Sequence, residues 1–203
     1  DAALLEQDFA QYQGRKYCLA CTSGGYGLHI ALRAMGLQSG DQVLTNAYTL
    51  APVPGAIHAA GGKPVLVEID EHYHLDLVDL EAKAKSSNAK ILLLSLMRGH
   101  IPDMDRLMAL CNDLGLQVLE DCAHTMGGSW GDKKSGNFGQ VAAFSLQTYK
   151  HLNTGEGGLV VTDDAEIAAR LIMHSGSYML YERHGAAPSP EVFENIRLIS
   201  ANM

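Results

Sequence analysis

Apolar residues recur along this chain at two spacings, and the alternation between them lays out most of the fold. Over residues 2–13, Leu4, Leu5, Phe9 and Tyr12 fall at helical spacing, and Gly14 ends the run. A short apolar run over 17–21 reads as a strand and leads into Thr22-Ser23-Gly24-Gly25. The same pattern then predicts a helix over 26–35 stopped at Gly36, a strand over 42–45, a short helix over 54–60 closed by Gly61-Gly62, and a strand over 64–68. Next come a helix over 77–85, a strand over 90–95, a helix over 104–114 and a strand over 117–120. Beyond that the helical rhythm stops: strands over 141–145 and 158–161 are joined by glycine-rich loops, and a helix over 164–173 follows. Helices alternating with short strands predict an α/β protein, a mostly parallel mixed sheet flanked by helices. The pattern gives one domain over 1–175 and a partial appendage over 176–203. Within it, 191–203 stops without a closing element or polar tail and reads as the edge of a fragment.

Composition narrows the function. With 47% apolar and 19% charged residues the chain can bury a core, so disorder and fibrous structure are excluded. The net charge of −8 and the lack of a basic run argue against a nucleic-acid partner or an anionic membrane surface. Apolar stretches such as 91–97 fall well short of the roughly 20 residues that span a bilayer, and DAALLEQDFA has no basic-then-apolar leader pattern, so the expectation is a cytoplasmic chain. Cys18 and Cys21 have C-x-x-C spacing, but no second pair matches them and residues three apart on a strand face opposite ways; buried reduced thiols are expected, with no metal. His72 and His74 read as exposed loop.

Three stretches carry candidate chemistry. At Thr22-Ser23-Gly24-Gly25, small residues between a strand and a helix let the backbone approach an anion, with helix N–H groups and the dipole behind them; a tight turn with no ligand is the other reading. Glu120-Asp121-Cys122-Ala123-His124 sits at the carboxyl end of an apolar strand, where open α/β sheets bind ligands, and a period of two puts Asp121 and Ala123 on one face. Lys150 follows a strand, lies among uncharged polar residues and precedes Gly155-Glu156-Gly157-Gly158. An anion cradle, a strand-end carboxylate and an amine in a polar loop are the parts that hold pyridoxal 5'-phosphate.

These stretches, with Gly40-Asp41-Gln42-Val43, Pro102-Asp103-Met104-Asp105 and Phe144-Ser145, stand in the order and spacing of the DegT/DnrJ/EryC1/StrS aminotransferases, which the chain resembles over about residues 9–173. The resemblance implies the large domain of a fold-type I pyridoxal-phosphate transferase. It implies a homodimer with active sites at the subunit interface, an amino acid such as glutamate as donor, and a keto-sugar nucleotide as acceptor. Lys150 would take the cofactor's aldehyde and later act as the proton-moving base. Asp121 would keep the pyridine nitrogen protonated, Ala123 would pack on the ring and His124 would reach its phenolic oxygen. Gly24, Gly25 and Ser145 would hold the phosphate. Residues 176–203 would begin the connection to a C-terminal small domain.

The sequence departs from the family pattern around the ring. Gly25 replaces a threonine, and Leu50 stands where an aromatic commonly covers the ring, a role that either Tyr48 or aliphatic packing would take over. Arg98 becomes a candidate contact for a substrate anion. Glu156 reads as a loop brace or a substrate-side acid, and Tyr149 and His151 as positioning residues. Two other readings follow from the same scaffold: dehydration at a sugar carbon, a branch in which histidine replaces the lysine, and a non-catalytic regulatory relative.

Overall fold

The computed structural model describes residues 2–176 and 183–200. Strands β1 (Tyr17–Cys21), β2 (Gln42–Asn46), β3 (Lys63–Val67), β4 (Ile91–Ser95), β5 (Gln117–Asp121), β8 (Val141–Ser145) and β9 (Gly158–Thr162) form a single sheet in the order β1-β9-β8-β5-β4-β2-β3. A hairpin, β6 (Ser129–Trp130) with β7 (Lys133–Lys134), stands apart from it. All neighbours from β3 to β8 are parallel, while β9 runs antiparallel to both β8 and β1. The switch has a local cause: β8 and β9 are joined by a loop with no crossover helix, and without a crossover the chain returns antiparallel.

Helices α1 (Ala2–Gln13), α4 (Leu77–Ser86) and α5 (Met104–Asp113) cover one face; α2 (Gly24–Ala34), α3 (Pro52–Ala59), α6 (Ala165–His174) and α7 (Pro190–Ser200) cover the other. The inner strands are mostly apolar because helices cover both faces of the sheet, whereas the edge strand β3 is largely exposed; strand residues sort by period two. Ile91 and Leu93 join the core under α2 and α3, whereas Leu92 and Leu94 join the core under α4 and α5. Cys18 and Cys21 divide the same way, one into each core. Aspartates cap three helices: Asp76, Asp103 and Asp164 each accept first-turn N–H groups of α4, α5 and α6.

The structure departs from the sequence reading in four places. Helix α2 starts at Gly24, because Ser23 caps it by accepting the Tyr26 N–H. Helix α3 starts at Pro52, a residue that suits a first helical position. The β6–β7 hairpin, turned at Gly131-Asp132, falls in a segment read as loop. Most notably, the stretch 191–203 does carry a closing element: α7 occupies Pro190–Ser200 and buries Phe193 and Ile196 in the core shared with α6. Residues 177–182 and 201–203 of the expected connection lie outside the described residues.

The His72–His74 stretch is a loop wrapped around Asp70, whose Oδ1 accepts the N–H of His72 (2.8 Å) and of His74 (2.9 Å). His74 is less open than expected, its side chain 30% exposed and its ring 6.1 Å from that of His100. Among the described residues, no helix is long and apolar enough to cross a membrane.

Candidate active site

Four parallel strands end on a polar residue at the same edge: Asn46 on β2, Ser95 on β4, Asp121 on β5 and Ser145 on β8. This edge is where an open α/β sheet offers main-chain and side-chain groups to a ligand. Three of the four are wired together. The Ser95 N–H donates to Asn46 Oδ1 (2.9 Å), the Ser95 hydroxyl donates to Asp121 Oδ2 (3.3 Å), and the Thr49 hydroxyl donates to Ser95 Oγ (2.7 Å). Asp121 Oδ1 accepts the Ala123 N–H at 3.1 Å. Burial pushes the Asp121 carboxyl up from its ordinary value, and the Ala123 amide and Ser95 hydroxyl pull it back toward the ionised form.

The neighbouring acid has a different task. Glu120 points to the opposite face, fully buried, where Oε1 accepts the N–H groups of Phe138 and Gly139 (both 2.7 Å) and Oε2 that of Gly136 (2.8 Å). Arg15 binds the Gly136 and Gly139 carbonyls from outside. Glu120 thus braces the loop that leads into β8.

The start of α2 is pressed onto the ends of β8 and β9. A Cβ on Gly24 would stand 2.8 Å from Ser145 Cβ, and one on Gly158 would stand 2.5 Å from the Ser23 carbonyl group. Only glycine permits this approach. The amides of Gly24 and Gly25 belong to the first helical turn and have no intrahelical acceptor, so they are available to an anion beside the Ser145 hydroxyl.

Lys150 is carried by the β8–β9 loop, which is pinned shut by main-chain bonds from Leu146 to Gly157, Thr148 to Gly155 and Thr154 to Leu146, each 2.9 Å. Its Nζ lies 2.8 Å from His124 Nε2. Burial lowers the lysine pKa; the Asp121 carboxylate opposes this and the Arg98 guanidinium adds to it. His124 is also lowered, by burial and then by the charges of Lys150, Arg98 and His151.

A cavity of about 840 Å³ joins these groups. Gly24, Gly25, Asp121 and Ala123 line it, as do His124, Ser145, Lys150 and the exposed Glu156. Two residues singled out in the sequence stand elsewhere. Tyr48 packs on Tyr73, ring centroids 5.1 Å apart, and Thr49 and Leu50 face the cavity in its place. Arg98 is exposed and meets the site through its backbone, donating its N–H to His124 Nδ1 at 3.3 Å. Tyr149, 91% exposed, does not pack beside the lysine. Sequence reasoning missed Asn46 and Ser95, although each is a polar residue closing an apolar strand, and it missed Thr49 in the loop after β2. It also missed the groove that extends the cavity between α2 and α3 past Pro52, Gly55 and Ala59.

The profile of the DegT/DnrJ/EryC1/StrS aminotransferase family matches residues 1–196. Over 176 residues the chain is 37% identical to GDP-perosamine synthase of Caulobacter vibrioides, an overlap of 86% of this chain and 47% of that protein. It is 36% identical over 184 residues to a pleiotropic regulatory protein of Geobacillus stearothermophilus, covering 89% of this chain and 49% of the relative. The crystal structure of 3-amino-5-hydroxybenzoic acid synthase superposes with a TM-score of 0.79 at 33% identity, over 85% of this chain and 46% of that one. The chain spans about half the length of the curated relatives it matches. A profile match over nearly the whole sequence, and a fold shared with a solved relative, place this chain in the DegT/DnrJ/EryC1/StrS aminotransferase family.

Proposed function

We propose that this chain is the cofactor-binding part of a pyridoxal 5'-phosphate-dependent aminotransferase that moves an amino group from an amino acid, with glutamate as donor, to a keto-sugar carried on a nucleotide. The observation that carries the reading is the convergence on one cavity of an anion cradle, a strand-end carboxylate and a lysine amine. The residues present fit this cofactor: the Gly24–Ser145 approach keeps side chains out of the cradle, leaving amides and a hydroxyl to meet a phosphate.

When bound, the cofactor supplies a carbonyl that takes up the amino group and a ring that withdraws electrons. Gly24, Gly25 and Ser145 would hold the phosphate. Asp121 is the carboxylate available to keep the ring nitrogen protonated, and the Ser95 and Ala123 donors favour the charge this needs. Ala123 leaves room for a flat ring, and His124 reaches Lys150. Lys150 Nζ would hold the cofactor and, when free, is the base available to take and return the substrate proton.

The reading extends to the assembly. Residues 1–175 act as the large domain and 176–203 lead toward a further C-terminal domain. The enzyme is a cytoplasmic homodimer: apolar Leu50 (47% exposed) at the cavity and Leu152 and Tyr149 on the lysine loop support coverage by a second copy, and four free cysteines suit a reducing compartment.

The test is mass spectrometry of products from the full-length protein, loaded with cofactor and offered amino donors with nucleotide-linked keto-sugars. A product with its carbonyl oxygen replaced by an amine supports the reading. A dehydrated product, or cofactor binding with no product, overturns it in favour of a dehydratase or a regulator respectively.

A further inference from the structure

His124 is held from both sides, and the two contacts together decide where its proton sits. Its Nδ1 faces the main-chain N–H of Arg98 at 3.3 Å, and its Nε2 faces Lys150 Nζ at 2.8 Å. A backbone amide can only donate, so Nδ1 is the bare nitrogen; a neutral imidazole then carries its proton on Nε2. That Nε2–H points at Lys150, and it needs an acceptor. A neutral amine has a lone pair to offer, whereas an ammonium has three donors and none.

We propose that the main-chain amide of Arg98 sets the tautomer of His124, and that His124 in turn holds Lys150 as the unprotonated amine before any cofactor arrives. His124 and Arg98 are positioning residues in this scheme, acting through Lys150. The proposal rests on the reading of Lys150 as the amine that takes the cofactor's aldehyde.

The backbone supports the assignment. Arg98 lies in the left-handed region (φ 57°, ψ 16°) and is followed by Gly99 at φ 86°. A non-glycine residue there is uncommon and marks a segment that its surroundings hold in place. Here the bend delivers the Arg98 amide to His124. The charged and titratable groups around the pair act in a consistent sense: Arg98 from the turn after β4 and His151 from the lysine loop disfavour a further proton on His124, and Arg98 also disfavours one on Lys150. Asp121 at the end of β5 is the opposing charge, yet the ion pairs of the described residues do not include Lys150.

The test uses the full-length protein freed of cofactor, with two readouts. Nitrogen NMR of histidine-labelled protein locates the His124 proton, and acetylation by acetic anhydride across a pH series, read on the Lys150 peptide by mass spectrometry, gives the midpoint for the free amine. We expect the proton on Nε2 and a midpoint below the ordinary lysine value of about 10.4. His124→Asn keeps an acceptor for the Arg98 amide but loses the donor to Lys150, so the midpoint rises by about one unit, roughly tenfold less free amine at a fixed lower pH. His124→Gln, whose amide reaches as far as Nε2, returns the midpoint toward wild type. Arg98→Gly retains the amide and leaves the tautomer unchanged. A proton on Nδ1 in the wild type, or a His124→Asn midpoint equal to wild type, overturns the proposal; should His124→Asn fail to fold, the wild-type NMR decides. If the Nε2 tautomer is found but borohydride fixes no cofactor on Lys150, the cofactor reading fails and the tautomer assignment stands.

Discussion

Gly24 and Ser145 approach so closely that a side chain on the first would occupy the place of the second: an added Cβ would stand 2.8 Å from Ser145 Cβ. The start of α2 and the end of β8 form one surface for that reason. Gly24→Ala is therefore expected to push the helix off the strand. Overpacking of about 1–3 kcal/mol would weaken pyridoxal phosphate binding by about 5–150-fold, measured by fluorescence titration. At Gly25 an added Cβ meets only Pro52, at an ordinary 3.5 Å. Gly25→Ala should retain binding within a few fold, and equal losses in the two variants would show that the close approach is not what forms the cradle.

Lys150→Ala should remove covalent attachment. Borohydride reduction of the cofactor-loaded wild type is expected to leave the cofactor on the Lys150 peptide, and the variant should carry none. Loss of a positioned general base costs about 10²–10⁴-fold, so turnover should fall by at least that range. Cofactor fixed on another lysine would displace Lys150 from its role.

Ser95→Ala tests the chain that runs from Thr49 through Ser95 to Asp121. The Ser95 hydroxyl favours the ionised carboxylate, and its removal lets burial raise the Asp121 pKa further. Asp121 would then gain its proton at a higher pH as the solution is acidified, so the acid limb of cofactor binding should move upward. A lost hydrogen bond of about 1–1.5 kcal/mol corresponds to a shift of about one unit. Asp121→Asn should remove the acid limb and nearly all turnover. An acid limb that stays in place in Ser95→Ala would argue that Asp121 is not the group titrating.

Glu120→Ala is a stability experiment. It leaves the buried amides of Gly136, Phe138 and Gly139 without their acceptor. A penalty of about 1–3 kcal/mol per unsatisfied buried group, relieved in part by water entry, gives an expected loss of about 3 kcal/mol in urea unfolding. A change below about 0.5 kcal/mol would mean that the loop holds without this brace.

The sequence was most informative where one interaction dominates. Strands buried on both faces and helices with one apolar stripe were readable from periodicity, and Asp121, His124 and Lys150 stood out because they interrupt apolar or glycine-rich surroundings. What it did not reveal depends on neighbours far along the chain. Tyr48 sits two residues from Leu50, but its ring finds Tyr73, a partner set by the turn around Asp70. Arg98 drew attention through its charge, while its structural contribution is a main-chain amide aimed by a left-handed bend. Glu120 and Asp121 look alike as adjacent acids; the sheet separates them, sending one to the cavity and the other to a buried loop. Helix α7 was overlooked because its stripe makes sense only once α6 supplies the surface for Phe193 and Ile196.

The antiparallel β9 has a consequence for how the protein is made. Strand β1 emerges early, yet its sheet partner is β9, Cys18 facing Val161 and Cys21 facing Gly158. At about 5–20 residues per second, the partner follows the strand on the order of ten seconds later. Through that interval an apolar strand has no ladder to join, the condition under which edges pair wrongly. A chain ending at residue 157 should leave β1 open to protease, and one reaching residue 176 should protect it. The last strand to join the sheet is thus the step that brings the first one safely home.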